Sequence, residues 1–194
     1  MTILKMSRRS TGNPEIFRSV QGEGQSIGVP SVFCRLSLCN LSCSWCDTKY
    51  TWDWDNYDPK TEIIELSPQD VCNRIATLET TNVVITGGEP LMQQKGLAEL
   101  TTLLKSKGHT IEIETNGTYI PSSIIANNID RWNVSPKLVN SGLSKKLRLV
   151  EKSLTWFAEE STAVFKFVIN CPSDVEEVKE LATTFGLPSE RVIL

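Results

Sequence analysis

The chain holds a single histidine, His109, and only six cysteines among 194 residues. A structural zinc site normally needs four Cys or His ligands, and His109 stands far from the cysteine-rich stretch, at what reads as the entrance to a strand. Six cysteines are also too sparse for a disulfide framework. Cys34, Cys72 and Cys171 each sit alone, in surroundings that read as apolar. No apolar run approaches the ~18 residues of a membrane span, and Met1–Arg9 lacks a signal-type apolar core. Lysine and arginine number 20 against 23 acids, a formal charge of −3. A global basic field of the kind that drives nucleic-acid binding is therefore absent. These absences lead to an expectation of a cytoplasmic protein acting on a small molecule, with no nucleic-acid or membrane partner. No low-complexity tract or second domain is visible, so residues 1–194 read as one domain.

What is present is an alternation of β-rich runs with helical patterns, the mark of βαβ units on a parallel sheet. Ser31–Ser37 reads as a first strand, Asn82–Thr86 as a second, Thr110–Glu114 as a third and Arg131–Val134 as a fourth. Ala163–Ile169 and Arg191–Leu194 follow as fifth and sixth. Between them, Ser67-Pro68 caps a helix carrying Val71, Ile75 and Leu78 on one face. Gly96–Lys107 and Lys145–Glu160 read as further helices. Ser173 and Glu176 form a capping box for a last helix, which runs to Phe185 and closes at Gly186. Trp52–Lys60 is a polar, aromatic, turn-rich insertion.

Cys39, Cys43 and Cys46 form C-x3-C-x2-C, with Trp45 directly before the last thiol and Asp47-Thr48 directly after it. Three thiolates so spaced suit three corners of an iron–sulfur cube. Such clusters usually take four cysteines, so three leave one iron open to a ligand that comes and goes. Structural zinc and chance spacing remain as alternatives at these residues. Position narrows the choice. The cysteine loop follows the first strand, Thr86-Gly87-Gly88-Glu89-Pro90 the second, Glu114-Thr115-Asn116-Gly117 the third and Ser135-Pro136-Lys137 the fourth. All four lie at carboxyl ends of parallel strands, where α/β folds gather their ligands.

Together these motifs resemble the radical S-adenosylmethionine superfamily over nearly the whole chain. Within it, Glu15–Gly24 (EIFRSVQGEG), Phe33-Cys34-Arg35, Cys46-Asp47-Thr48 and Ser135-Pro136-Lys137 are similar to the 7-carboxy-7-deazaguanine synthase family. The resemblance implies an α/β fold, a partial (β/α)6-type barrel of parallel strands. It also implies a carbon–nitrogen lyase that converts 6-carboxy-5,6,7,8-tetrahydropterin to the deazapurine core of queuosine and archaeosine, with loss of ammonia. Relatives continue past the sixth strand, so the C-terminal part reads as short or truncated, or else the pocket is completed differently.

By the same resemblance, Cys39, Cys43 and Cys46 hold a 4Fe-4S cluster whose open iron binds S-adenosylmethionine, the source of a 5′-deoxyadenosyl radical. Trp45, Asp47, Gly88, Glu89, Ser135, Pro136 and Lys137 are the further cofactor contacts. The catalytic work belongs to the cofactor and not to a side chain. Gly87 and Gly88 would let backbone approach a ligand that a Cβ would obstruct. Val20, Gln21, Gly22, Glu23, Arg35 and Thr86 are the implied substrate contacts, with Arg35 binding an anion or carbonyl unless an acid pairs with it. Thr48 resembles the hydroxyl ligand of a Mg2+ ion. An electron donor such as flavodoxin or ferredoxin and a homodimer complete the expectation. Two competing functions stay open: an activase for a glycyl-radical enzyme, and a zinc-stabilised binding module without catalysis.

Overall fold

The structure is a computed structural model and describes residues 2–194. Nine strands among these residues share one sheet. They are β1 (Leu4–Ser7), β2 (Ile16–Val20), β3 (Pro30–Leu36), β4 (Ile63–Leu66), β5 (Asn82–Gly87), β6 (Thr110–Thr115), β7 (Arg131–Val134), β8 (Ala163–Lys166) and β9 (Val192–Ile193). The run β3-β5-β6-β7-β8-β9 is parallel throughout and matches the six expected strands in order. β1, β2 and β4 form an antiparallel extension beyond β3 that the sequence pattern left unseen. β4 and β9 lie at opposite ends of the strand order, so the sheet is a partial barrel and not a closed one.

Side chains alternate across a strand, and here the two faces have opposite chemistry. One face presents Val32, Cys34, Leu36, Val83, Ile85, Ile111, Ile113, Trp132, Val134, Ala163 and Phe165 to a single buried core. Helices cover it: α2 (Pro68–Ala76) contributes Val71 and Ile75, and α3 (Gln94–Ser106) contributes Leu97, Leu100 and Leu104. The other face carries Arg35, Thr86, Glu112, Glu114, Asn133 and Lys166, an interior polar enough to receive a polar ligand.

Local signals account for some helix boundaries. Ser67 accepts from the Asp70 N–H at 3.1 Å with Pro68 in the first turn, as expected. Two expectations need correction. The helix anticipated over Lys145–Glu160 is two pieces, α5 (Lys145–Arg148) and α6 (Glu151–Glu159). Leu149 and Val150 between them are extended, and the break accompanies the inward turn of Arg148, which donates to the Lys137 carbonyl at 2.8 Å and pairs with Glu177 at 2.7 Å. The last helix, α7 (Pro172–Phe185), is capped by Cys171 and Asp174 rather than by Ser173 and Glu176, because Pro172 takes its first position. Gly186 closes it in the left-handed region at φ 64°. Cys34 and Cys72 are buried as anticipated, whereas Cys171 is exposed. The short helices α1 (Pro59–Glu62) and α4 (Ser123–Asn128) were not anticipated.

An aromatic cluster pins α6 to β7. Trp132 meets Phe157 edge-on at 5.3 Å and Trp156 at 5.9 Å, and Trp156 meets Phe157 at 4.9 Å. Phe157→Ala should therefore cost about 3–5 kcal/mol of unfolding free energy, measured by urea denaturation. Phe157→Leu, which keeps most of the volume, should cost less than half as much.

Candidate active site

The cysteine loop begins where β3 ends, and Leu38 turns the chain there through the left-handed region at φ 74°. The strip after β5 holds this turn: Gly88 N–H donates to the Leu36 carbonyl at 3.1 Å, and Glu89 N–H to the Leu38 carbonyl at 2.8 Å. A Cβ on Gly87, whose φ is 139°, would run into the Leu36 backbone, and one on Gly88 into the Leu38 carbonyl. The two glycines are thus demanded by the approach of the cysteine loop itself, a different reason from the ligand approach expected above.

All three thiols are free and face one cavity of about 630 Å3. Cys46 N–H closes a turn on the Cys43 carbonyl at 3.1 Å. The cavity is also bounded by Gln21, Gly22, Glu23, Arg35, Trp45, Asp47, Thr48, Thr86, Gly88, Ser135 and Lys137, so most of the anticipated contacts meet. Three do not line it. Val20 is 56% exposed on β2, Pro136 is buried behind the wall, and Glu89 is fully buried. The Glu89 carboxylate accepts from Leu91 N–H at 2.9 Å, Thr115 Oγ1 at 2.8 Å and Asn116 N–H at 2.7 Å. These three donors fix the carboxylate in place, and burial pushes its pKa upward all the same.

Electrostatics in the cavity follow from burial. It pushes the Cys39 thiol up to about 12 and raises Cys43 as well, so without a metal these sulfurs are protonated and ligation must expel protons. Burial also pulls Lys137 below the ordinary lysine range, with Cys43 opposing it. Lys137 donates to Ser135 Oγ at 2.9 Å and stands 5.4 Å over the Trp45 ring.

The donor set discriminates between the groups it could hold. No three His, Cys, Asp or Glu side chains among the described residues are gathered closely enough for one metal ion. A zinc ion needs its ligands to meet at a single centre. A cube spreads them over separate irons, so three thiols facing one cavity fit a cluster. Thr48 offers a hydroxyl on the cavity wall, 3.6 Å from Cys46 Sγ, with the Asp47 carboxylate on the same wall. That suits a hard cation that keeps waters and substrate oxygens as its other ligands.

The partners of several site residues are not legible in the sequence. Arg35 pairs with Glu15 at 2.9 Å, and Tyr50 also donates to Glu15 at 2.9 Å, so the guanidinium is both anchored and on the cavity wall. The Gln21 amide donates to Glu112 at 2.8 Å and to Glu114 at 3.2 Å, and Thr86 Oγ1 donates to Glu114 at 2.6 Å. Ser26 and Asn133 also donate to Glu112. Lys166 pairs with Glu23 at 2.6 Å. The period-two pattern of Thr110–Glu114 already placed Glu112 and Glu114 on one face; which face was hidden until the partners of β6 were known. Asn116 donates to Asn40 of the cysteine loop at 2.9 Å.

Residues 36–159 match the family profile described as the Radical SAM superfamily. The 7-carboxy-7-deazaguanine synthase of Pyrobaculum aerophilum is 38% identical over 182 residues, which cover 93% of this chain and 76% of that protein. The enzyme of the same description from Hyperthermus butylicus is 36% identical over 184 residues, covering 93% and 74%. The crystal structure of QueE from Escherichia coli superposes with a TM-score of 0.71 at 29% identity, covering 97% of this chain and 79% of that one.

The glycines supply a test of the site's construction. Gly88→Ala should cost about 3 kcal/mol through overpacking. Gly22→Ala, where a Cβ meets nothing within 4 Å, should change stability by less than about 0.5 kcal/mol. Urea melts of the two variants check the contrast.

Proposed function

Taking as premise that the chain belongs to the radical S-adenosylmethionine superfamily and, within it, to the 7-carboxy-7-deazaguanine synthases, we propose how its residues divide the work of that enzyme. The reaction is the conversion of 6-carboxy-5,6,7,8-tetrahydropterin to 7-carboxy-7-deazaguanine with loss of ammonia. Its cofactors are a 4Fe-4S cluster and S-adenosylmethionine, which when bound supply reductive carbon–sulfur cleavage and hydrogen abstraction. The observation that carries the assignment is the meeting of three free thiols and the polar barrel face in one cavity.

Cys39, Cys43 and Cys46 hold the cluster. Gly88, Trp45, Asp47, Ser135 and Lys137 bound the space beside it and take S-adenosylmethionine, Lys137 as a donor and Trp45 as an apolar wall for the adenine. Glu89 and Pro136 act from behind, through the backbone that they fix. Thr48 binds Mg2+, an oxygen donor for an oxygen-seeking ion.

The substrate is a flat ring with N–H and C=O edges and one carboxylate. Glu114 and Glu23 accept from its N–H groups, and Thr86 adds a hydroxyl. Arg35, held by Glu15, gives a charge-assisted fork to the carboxylate or a ring carbonyl. Gln21 serves chiefly as scaffold, because both N–H bonds of its amide are taken by Glu112 and Glu114. An external one-electron donor such as flavodoxin or ferredoxin delivers the electron. Free thiols suit a reducing cytoplasm, and no helix among the described residues is long and apolar enough to cross a membrane. Val20 and Ile27, 56% and 68% exposed, give apolar surface that a homodimer would cover.

Anaerobic incubation with S-adenosylmethionine, Mg2+, a reductant and the carboxytetrahydropterin should yield the deazapurine, followed by chromatography and mass. Cys39→Ala should lose the cluster absorbance and product together; retained turnover in that variant defeats the assignment. Arg35→Ala should keep the cluster and uncoupled cofactor cleavage while product falls at least 100-fold, about 2.7 kcal/mol, the size of a lost charge-assisted contact.

A further inference from the structure

The three cluster thiols have unequal surroundings. Cys39 Sγ receives one backbone N–H, from Leu41 at 3.5 Å. Cys46 Sγ receives the indole N–H of Trp52 at 3.3 Å and has the Thr48 hydroxyl at 3.6 Å. Trp52 stands six residues beyond Cys46, at the start of the aromatic insertion, and no role in the reaction above requires it.

Its position is built. Residues Lys49–Thr51 form a single tight helical turn, and the Trp52 N–H closes it on the Lys49 carbonyl at 3.0 Å. Thr51 is fully buried; its N–H and hydroxyl both donate to the Thr48 carbonyl, at 2.9 and 2.8 Å. Its own carbonyl accepts the Leu38 N–H at 2.8 Å, which ties this turn to the start of the cysteine loop. The indole is therefore carried on the same scaffold as the sulfur it touches. Trp45 offers a contrast: although adjacent to Cys46 in sequence, its indole donates to Asn140 Oδ1 at 3.1 Å and not to a sulfur.

An indole nitrogen can only donate. A thiolate on a cluster gains negative charge when the cluster is reduced, so a fixed donor stabilises the reduced form more than the oxidised one. Hydrogen bonds to the sulfurs are among the main determinants of cluster potential. We propose that Trp52 sets the reduction potential of the cluster through its N–H bond to Cys46, making electron uptake easier than the three thiolates alone would allow. The step concerned is a one-electron reduction, the electron coming from an external low-potential reductant, with no bond broken and no proton transferred. This inference rests on the cluster reading above and adds a residue to it.

The test separates donation from shielding. Trp52→Phe keeps an aromatic wall over the sulfur and removes the donor. Wild type and variant are loaded anaerobically to equal iron and sulfide, then titrated with dithionite while the reduced cluster is followed by electron paramagnetic resonance. The variant's midpoint should fall so that reduction is about tenfold less favourable, which is 59 mV for one electron. After transfer to D2O, electron–nuclear double resonance of wild type should show one exchangeable-deuteron coupling more than the variant, which keeps those of the Leu41 N–H and the Thr48 hydroxyl. An unchanged midpoint in a fully loaded variant overturns the inference while leaving the cluster assignment intact. A wild type that takes up no cluster overturns both. If Trp52→Phe holds no cluster, 15N-tryptophan-labelled Trp45→Phe protein decides: an indole nitrogen coupling to the reduced cluster supports the bond, and its absence refutes it.

Discussion

The site depends on one close approach, that of the backbone after β5 to the backbone after β3. Gly88 and Glu89 donate to the carbonyls of Leu36 and Leu38, and only glycine fits at positions 87 and 88. Glu89 then extends the contact sideways by accepting from Thr115 and Asn116 at the end of β6. Asn116 in turn donates to Asn40, within the cysteine loop. The hydrogen bonds close a circuit from the loop, across two strand ends, and back. Burying a carboxylate is costly unless its lone pairs are filled, and here two N–H groups and a hydroxyl fill them. A loop carrying three thiols is thereby held open toward the cavity without any bond between the sulfurs themselves.

The same sheet serves two chemistries because its strands are buried on both faces for different reasons. Outward positions pack hydrocarbon against helices, and inward positions carry acids, amides and cations toward the carboxyl ends. Interior charges are tolerable where each has a partner: Arg35 with Glu15, Lys166 with Glu23, and Glu112 with the donors of Gln21, Ser26 and Asn133. Such pairs hold side chains in one rotamer before substrate arrives, which limits the ordering that binding must supply.

How much of this could be read from the residues divides along physical lines. The parallel strands were legible chiefly where a short run is rich in β-branched or aliphatic residues, as in Asn82–Thr86 and Thr110–Glu114, and the clustering of oddities at the carboxyl ends of four of them marked the site. β1, β2 and β4 were not, since four or five residues of mixed polarity have no period that stands out, and their pairing with β3 and with one another is a long-range event. The hydrogen-bond partners of Glu89 could not be read, because its three donors come from the turn it caps and from the end of β6, which no local pattern reveals. Glu15 and Tyr50 escaped for the same reason, being twenty and fifteen residues from Arg35 in sequence and in contact only through the fold.

The C-terminal third supplies none of the three thiols on the cavity, yet it helps fix where their loop sits. Asp174 and Glu177 lie one turn apart on α7 and grip the segment after β7 from the same side. Asp174 accepts from Asn140 Nδ2 at 2.9 Å, from Asn170 N–H at 2.7 Å and from Cys171 N–H at 3.1 Å, donors that hold its carboxyl below the usual range. Glu177 accepts from Val139 N–H at 2.8 Å and pairs with Arg148, which itself holds the Lys137 carbonyl. From that segment Asn140 reaches the Trp45 indole, and the Ser141 carbonyl accepts the Ser44 N–H at 3.0 Å. Lys137 and Trp45, which face each other across the space beside the thiols, are thus fixed from one helix. The α7 carboxylates restrain both walls of that space from outside it, Trp45 through the Asn140 side chain and Lys137 through backbone groups of its own segment.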